Sequence, residues 1–358
     1  MSFSKKVVKK RRMFPTRLSS VMRETIKKTK GVDTLTLGED STPLVVADVL
    51  PTGLPNLDKI LCLSEKGEWG LPIGRIISVK AKPSVGKTTF LLRLAEQAIK
   101  RGGAVHVVES ERALDIKYAR MICPSVDEFF ITQPDTLEQA FDTIDVATKI
   151  CKKARTVKKT TAPFVILVDS FSGFSPAAEL EGDFSSSGKA LGAHARIASM
   201  ACRKLTGAIA EAKAILILSH QTKSKIGVLW GNPDTNIGGD AFNYHDSICL
   251  SLYRTASIKD EKKRIAGHFG LFRTTKNKLF PPHREAKFRI INGKGFSQSF
   301  AILDFLIESG AVVKKGGGWF NFRGNPSLKW NGIDGFVPFI RETREARSLL
   351  KRLLKESL

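Results

Sequence analysis

From residue 45 onward, short runs of apolar residues alternate with longer segments in which apolar residues recur every three or four positions. Short apolar runs are typical of buried strands, and the longer period is typical of helices. The alternation therefore predicts an α/β fold with a mostly parallel sheet. The predicted strands are Arg75–Lys80, Ala104–Glu109, Glu128–Thr132, Phe164–Asp169, Ala214–Ser219, Ser247–Tyr253, Leu271–Thr275 and Ala286–Ile291. The predicted helices are Thr88–Lys100, Leu137–Lys153, Ala190–Ala212, Phe300–Ser309 and Arg341–Leu358.

The chain divides into three segments that differ in composition and hydrophobic pattern: residues 1–44, 45–296 and 297–358. Within the first, residues 16–29 place apolar side chains on one helical stripe, which needs another surface to bury it. That surface is either the core of the same chain or a neighbouring subunit. The last segment combines glycine turns and aromatic residues with a basic amphipathic helix, which predicts a small α+β domain.

The chain is strongly basic, with a net charge of +23 and a pI near 9.9. Its first thirty residues carry eleven Lys or Arg and the single acid Glu24, which predicts a mobile basic arm over residues 1–15. Such an excess favours a polyanionic partner, and nucleic acid is the leading one. The alternative is a solvated basic surface without a specific partner.

The five cysteines are scattered and never spaced C-x-x-C, which favours reduced thiols rather than disulfides or structural zinc. The N-terminus lacks the apolar core of a signal peptide, and no apolar run reaches membrane-spanning length. These features predict a cytoplasmic protein that does not contact a membrane.

A phosphate-binding loop is predicted between the first of these strands and the first helix. The G-x-x-x-x-G-K-[ST] pattern indicates a phosphate-binding loop when it forms a glycine turn between a strand and a helix. Backbone N–H groups at the start of that helix then surround a polyphosphate. The candidate ATP-binding residues are Ala81, Lys82, Pro83, Ser84, Val85, Gly86, Lys87, Thr88 and Thr89. Lys87 would contact the β- and γ-phosphates and Thr88 would bind Mg²⁺. The alternative is a chance match, and Ala81 stands where the pattern has glycine, which puts turnover in question.

Two carboxylates follow strands that should end at the same edge of the sheet. Asp169 ends an apolar strand beside the loop, where it would hold Mg²⁺ through water; the alternative is a strand-end capping aspartate. Glu111 follows the strand Ala104–Glu109 and is placed to orient the attacking water, with Glu109 as its competitor.

Several segments, taken together and in order, resemble the RecA recombinases. They are Gly74–Ile77, the phosphate loop, Glu111–Arg120, Val168–Ser170, Glu179–Gly182, Lys225–Thr235 with Gly238-Gly239, and Lys276–Lys278. The resemblance runs from about Val45 to Trp319 and implies a RecA-type phosphate-loop ATPase core with mostly parallel sheet. The basic arm and the lack of an acidic tail depart from bacterial members, which suggests a bacteriophage-encoded relative.

The resemblance implies roles for individual residues around the nucleotide. Glu111 would be the water-orienting carboxylate, and Asp115 and Tyr118 would contact adenine; the alternative for Tyr118 is a half-buried helix tyrosine. Gln221 would sense the γ-phosphate and order the DNA-binding loop that follows it. The Asp169–Ser170 peptide would be cis, as in the family.

The resemblance also implies two DNA-binding loops, at Glu181–Ala193 and Lys223–Asp240. Apolar side chains between bases, with amides and cations on phosphates, would hold a single strand without reading its sequence. The alternative is a flexible surface loop. The candidate DNA-binding residues are Arg196, Lys223, Lys225, Ile226, Gly227, Val228, Gly238 and Gly239.

Three residues belong to the subunit interface that the resemblance implies. Lys276 and Lys278 would reach the neighbouring subunit's ATP and join Lys87, Glu111 and Gln221 as catalytic residues. Tyr244 would insert into the adjacent protomer. If the chain does not oligomerise, the alternative is that Lys276 and Lys278 are surface lysines and Tyr244 is a core tyrosine.

The sequence thus predicts a DNA-dependent ATPase that forms a helical filament on single-stranded DNA and exchanges strands with double-stranded DNA. One alternative is a ring-forming helicase motor on the same core. Another, motivated by Ala81, is a filament or mediator protein that binds ATP without hydrolysing it.

Deleting residues 1–15 tests the partner of the arm. Each phosphate neutralised on a single strand contributes about −0.7 to the slope of log affinity against log salt concentration. With about four such contacts, we expect the deletion to flatten that slope by about 3, while ATPase activity at saturating DNA changes little. An unchanged slope on naked DNA would instead assign the arm to an acidic partner, such as a loader or a single-strand binding protein.

Overall fold

The computed structural model describes residues 45–180, 192–224, 234–236 and 241–357, together with helical positions Val21, Thr25, Lys28 and Thr29. Contacts divide the chain into two units, Met1–Val45 and Val46–Leu358. Residues 1–15 of the predicted arm lie outside the described residues.

The strands and helices of the second unit alternate through most of its length. The strands are β1 Val49–Leu50, β2 Leu71–Pro72, β3 Arg75–Ala81, β4 Ala104–Glu109, β5 Phe130–Thr132, β6 Phe164–Asp169, β7 Ala214–Ser224, β8 Asp234–Asn236, β9 Ile248–Lys259, β10 Ile265–Asn277, β11 Glu285–Ile291, β12 Gly295–Phe296, β13 Val312–Lys314, β14 Trp319–Phe322 and β15 Asn325–Asn331. The helices are α1 Pro55–Leu61, α2 Lys87–Lys100, α3 Ile116–Ile122, α4 Leu137–Lys158, α5 Ala177–Leu180, α6 Ala193–Ala212, α7 Ala241–His245, α8 Gln298–Glu308, α9 Phe336–Glu342 and α10 Arg344–Ser357.

The central sheet has the order β12-β11-β10-β9-β3-β7-β6-β4-β5, and β8 pairs with β7 beyond this path. The strands from β9 to β5 pair in parallel, whereas β10, β11 and β12 extend the sheet with antiparallel pairs. The predicted α/β fold with a mostly parallel sheet is therefore confirmed.

Side chains on the parallel strands alternate between two apolar layers. Odd-numbered positions such as Ile77, Leu167 and Ile217 pack with the layer of α2, and even-numbered positions such as Ile166 and Leu216 pack with the other layer. Because both faces are covered, these strands read as continuous apolar runs in the sequence.

Two predicted strands are much longer in the structure. Predicted strands Ser247–Tyr253 and Leu271–Thr275 become β9 and β10, an antiparallel pair that extends past the parallel sheet. The extension is polar and largely exposed in β9, with no continuous apolar run to mark it. Hydrogen bonding between the two strands, rather than burial, holds this part.

The C-terminal residues have a sheet and an apolar cluster of their own. Strands β13, β14 and β15 form an antiparallel sheet, and α8, α9 and α10 contribute to a cluster around Phe322 and Trp330. The domain boundary at residues 296 and 297 remains a prediction, since contacts group Val46–Leu358 together.

All five cysteines are buried and free, as the sequence predicts. Burial raises the pKa of the Cys62 thiol to about 11 and that of Cys123 to about 12, so both thiols are protonated at neutral pH. Among the described helices, none combines the length and the apolar character that crossing a bilayer would need.

A buried carboxyl at the start of the core gives a pH test of stability. Burial raises the pKa of Asp58 to about 7 from its ordinary 3.8, against the opposing effect of the hydrogen bonds from Thr52. Between about pH 4 and 7 the unfolded state therefore binds fewer protons than the folded state, so this group lowers the free energy of unfolding as pH rises.

We expect Asp58→Asn to remove that decline, because the amide oxygen still accepts both Thr52 hydrogen bonds and carries no charge. The variant should be more stable than the parent protein at pH 8 and similar at pH 4, in urea unfolding. Asp142→Asn, which changes an exposed carboxylate on α4, is the control. A loss of stability at pH 8 would show instead that the fold stabilises the ionised carboxylate, for example through Arg93, and that the pKa of Asp58 is not raised.

Candidate functional site

The phosphate loop joins β3 to α2 and turns through two left-handed residues, Ser84 and Gly86. Gly86 precedes the helix with a φ of 106°, and an added Cβ would lie 2.4 Å from Cδ1 of Ile290. The left-handed backbone favours glycine here, and a larger residue would also have to displace the end of the Ile290 side chain. No side chain among the described residues caps the start of α2, so its N–H groups can serve an anion.

Ala81 does not disturb this loop. It is the last residue of β3, is 2% exposed, and pairs in parallel with Gln221 and Leu252. Its backbone is extended strand rather than left-handed, so glycine has no conformational advantage at this position. Its methyl group adds to the core on the α2 side of the sheet.

Thr88 and Asp169, the two predicted Mg²⁺ ligands, are brought together by the sheet. The Thr88 hydroxyl donates to Oδ2 of Asp169 over 2.7 Å, and the Ser219 hydroxyl donates to Oδ1 over 2.7 Å. Both carboxylate oxygens are therefore held in place from α2 and β7. The predicted cis peptide between Asp169 and Ser170 is confirmed.

Lys87 opens α2 beside these groups. Burial lowers the pKa of its ammonium group, while the negative charges of Asp169 and Glu111 raise it. A partly desolvated cation is strongly attracted to an arriving polyphosphate, which competes with the nearby carboxylates for it.

Glu111 and Gln221 are in direct contact. Oε1 of Glu111 accepts hydrogen bonds from Nε2 of Gln221 over 2.8 Å and from the Ser170 hydroxyl over 2.9 Å. Its competitor Glu109 is 4% exposed, and its two oxygens accept from the Ala113 N–H and the Gln133 amide. Glu109 is thus engaged in the fold, whereas Glu111 is exposed at the cleft.

A cleft of about 420 Å³ lies against Thr88 and Asp169 and extends to Asp115 and Tyr118 on α3. Asp115 caps α3 by accepting from the N–H groups of Lys117 and Tyr118. The Tyr118 hydroxyl shares a 2.7 Å hydrogen bond with the hydroxyl of Thr89, next to the loop. Both predicted adenine contacts therefore lie on one wall of the cleft, and Tyr118 is half-buried there.

The predicted interface residues lie near the opposite end of the parallel strands. The Lys276 ammonium contacts Oδ1 of Asp246 at 2.6 Å, and that of Lys278 donates to the Tyr244 carbonyl over 2.8 Å. Burial, and then the neighbouring Lys276, lower the pKa of Lys278. Tyr244 itself is 77% exposed, so it is not a core tyrosine in the single chain.

The structure describes only part of the predicted DNA-binding set. Arg196 is exposed in the first turn of α6, and the backbone of Lys223 lies in β7. The predicted first loop up to residue 191 lies outside the described residues, as do Lys225, Ile226, Gly227, Val228, Gly238 and Gly239. Their roles remain predictions.

Two further residues lie beside the site, and only one of them, Ser219, was not predicted from the sequence. Ser219 holds Asp169, and it sits two positions before Gln221 on the same face of β7, which is the signal that could have indicated it. His220, between them, is 2% exposed and its ring packs against Phe171 and Phe242. Burial lowers its pKa to about 3, so it is neutral at physiological pH, in agreement with a structural role.

Comparison with known proteins places this geometry in a family. Residues 17–297 match the family model of the RecA N-terminal domain. The chain is similar to Protein RecA of Gluconobacter oxydans, with 37% identity over 313 residues that cover 87% of this chain and 85% of the relative. It is also similar to Protein RecA of Acidiphilium cryptum, with 40% identity over 76% of this chain and 74% of the relative. A third relative, Protein RecA of Azospirillum lipoferum, is 40% identical over 78% of this chain and 73% of its own length.

The family model covers the phosphate loop, the cleft and the segments that carry Glu111, Asp169, Gln221 and Lys276. Each of the three relatives is more than 30% identical over more than two thirds of both chains. The chain therefore belongs to the RecA family, the DNA-dependent ATPases of homologous recombination.

Proposed function

We propose that this chain exchanges DNA strands by hydrolysing ATP at the described cleft, with the family's chemistry carried by the residues that meet there. The observation that carries this proposal is the hydrogen bond between Glu111 and Gln221 beside the phosphate loop. It joins a carboxylate that can orient water to an amide at the start of the second predicted DNA loop. Nucleotide state and DNA affinity are coupled through that pair.

The donor set beside the loop fits Mg²⁺. Hydroxyl and carboxylate oxygens are the ligands that this ion prefers, and Thr88 and Asp169 present one of each within 2.7 Å. Few protein ligands are needed, because phosphate oxygens and water complete the shell. When bound, the ion neutralises charge on the β- and γ-phosphates, while Ser219 keeps Asp169 oriented.

Gln221 has two competing partners in this scheme. In the described structure its amide donates to Glu111. The same N–H group can donate to a γ-phosphate, which frees Oε1 of Glu111 to accept a proton from the attacking water. Because Gln221 lies in β7, which ends at Ser224 immediately before residues 225–233 in the chain, a change in its orientation acts directly on the predicted DNA loop.

Lys276 and Lys278 act on the ATP of a neighbouring protomer. Lys276 pairs in register with Cys249, which pairs with Ser78, three residues before the end of β3. Its partner Asp246 precedes Ser247, whose N–H bonds to the Ile76 carbonyl near the start of β3. The phosphate loop follows the other end of β3, so a second subunit is the natural source of phosphate for these lysines.

Other parts of the proposal rest on the sequence alone. The basic N-terminal arm supports contact with single-stranded DNA, a loader or a single-strand binding protein, and it is one of the sequence features that suggest a bacteriophage origin. Reduced, buried cysteines support a cytoplasmic location. Because Ala81 has the extended backbone of a strand, it no longer gives a reason to expect a mediator that binds ATP without hydrolysing it.

Glu111→Gln tests the catalytic assignment. The amide oxygen can still accept from Ser170 and Gln221, so the cleft should persist, but it cannot take a proton. We expect nucleotide affinity within about twofold of the parent protein and DNA-stimulated hydrolysis reduced by at least about a hundredfold. Lys87→Ala should instead abolish nucleotide binding, and exposed Glu128→Gln should change neither quantity. Normal turnover by Glu111→Gln would refute the assignment.

Mixing two inactive variants tests the shared site. The double change Lys276→Ala and Lys278→Ala should leave folding intact and abolish DNA-stimulated ATPase activity. When mixed with Lys87→Ala, it should regain activity, because junctions form that have an intact loop on one side and intact lysines on the other. Co-assembly without recovery at any mixing ratio would favour a role of the lysines in their own subunit or a purely structural role.

A further inference from the structure

A buried histidine supports the phosphate loop from behind. Nε2 of His268 lies 3.1 Å from the carbonyl oxygen of Val85, the loop residue before Gly86. His268 is 7% exposed and Val85 is 6% exposed. The two residues are 183 positions apart in the chain, and β10 carries the histidine.

The roles in this hydrogen bond are fixed by chemistry. A carbonyl oxygen can only accept, so Nε2 of His268 carries the proton and donates. Burial lowers the pKa of His268, an effect that the hydrogen bond with Val85 partly opposes, and the ring is neutral at physiological pH. The contact is therefore a constant feature of the fold in that range.

The direction of the next amide follows from this contact. A trans peptide is planar, and its C=O and N–H groups point to opposite sides. With the Val85 carbonyl held toward β10, the Gly86 N–H points away from β10, into the face of the loop where phosphate binds. The ring of His268 rests against Phe288, and Ile290 lies under Gly86, so β10 and β11 form a platform behind the loop.

We propose that His268 is a positioning residue for nucleotide binding: it orients the Val85–Gly86 peptide so that the Gly86 N–H faces the ATP phosphates. It touches no phosphate itself. The proposal rests on the proposed function of the loop as the ATP site. Without the histidine, the Val85 carbonyl is buried with no partner and the peptide can rotate to find one.

Two variants of the full chain separate the donor from the ring. His268→Gln keeps an N–H donor at the position of Nε2 and loses the ring, whereas His268→Phe keeps a ring against Phe288 and loses the donor. The measurements are binding of a fluorescent ATP analogue, steady-state ATPase on single-stranded DNA, and the unfolding temperature.

We expect His268→Phe to weaken analogue binding and raise KM for ATP roughly tenfold, with kcat within about twofold, as for loss of a ground-state contact. His268→Gln should stay within about twofold of the parent protein. A structural role alone would lower the unfolding temperature without this KM-against-kcat split. Should His268→Phe not fold, His268→Met, which also fills space without a donor, carries the same expectation.

Either of two results would overturn the proposal: normal analogue binding by the variants that lack a donor, or equal losses in His268→Gln and His268→Phe. Lys87→Ala shows whether a negative result concerns the role of His268 or the assignment of the ATP site. If the parent protein binds the analogue and Lys87→Ala does not, the loop is the nucleotide site and only the role of His268 is in question. If Lys87→Ala binds normally, the proposed ATP site itself is wrong.

Discussion

Parallel pairing of β3, β7, β6 and β4 is the constraint on which the site depends. It brings the carboxyl ends of four strands to one edge, so that residues far apart in sequence reach the phosphate loop. The period of two along each strand then selects which side chains face α2. Ala81, Asp169, Ser219 and Gln221 all stand at odd positions, on the face where α2 begins. A shift of one residue in any strand would turn its functional group to the opposite layer.

Hydrogen bonds orient the carboxylates that the strands bring together. Asp169 is held through both oxygens, and Glu111 is held by Ser170 and Gln221, so each carboxylate is oriented before substrate arrives. Such preorganisation matters because groups fixed in a sheltered cleft need little rearrangement during the reaction. Lys87 is fixed in a similar way: its ammonium group is partly desolvated and interacts with the nearby carboxylates of Asp169 and Glu111.

The fold and the main pairs of the site could be predicted because they follow local patterns. An apolar strand that ends in Asp169 and a loop that ends in Thr88 were enough to expect their meeting. Glu111 was chosen over Glu109 with the help of the family resemblance, since Glu109 ends β4 and Glu111 follows it two positions later. Only the bonds from Ala113 and Gln133 show that Glu109 is occupied in the fold. His268 could not be found at all, because its bond to Val85 depends on how an antiparallel extension curves under the loop.

Strand β10 reaches from one functional contact to another. His268 at one end touches the loop of its own subunit, and Lys276 lies eight residues further on, roughly 27 Å at an extended rise. If Lys276 acts on the neighbour's nucleotide, as proposed, β10 spans the distance between two consecutive ATP sites of the assembly. The pairing of β10 with β9 shifts in register between Phe269 and Gly270 and between Thr274 and Lys276, so bulges within this span influence its length and twist. In the proposed filament, the spacing of consecutive ATP sites would then depend on strand pairing inside each protomer.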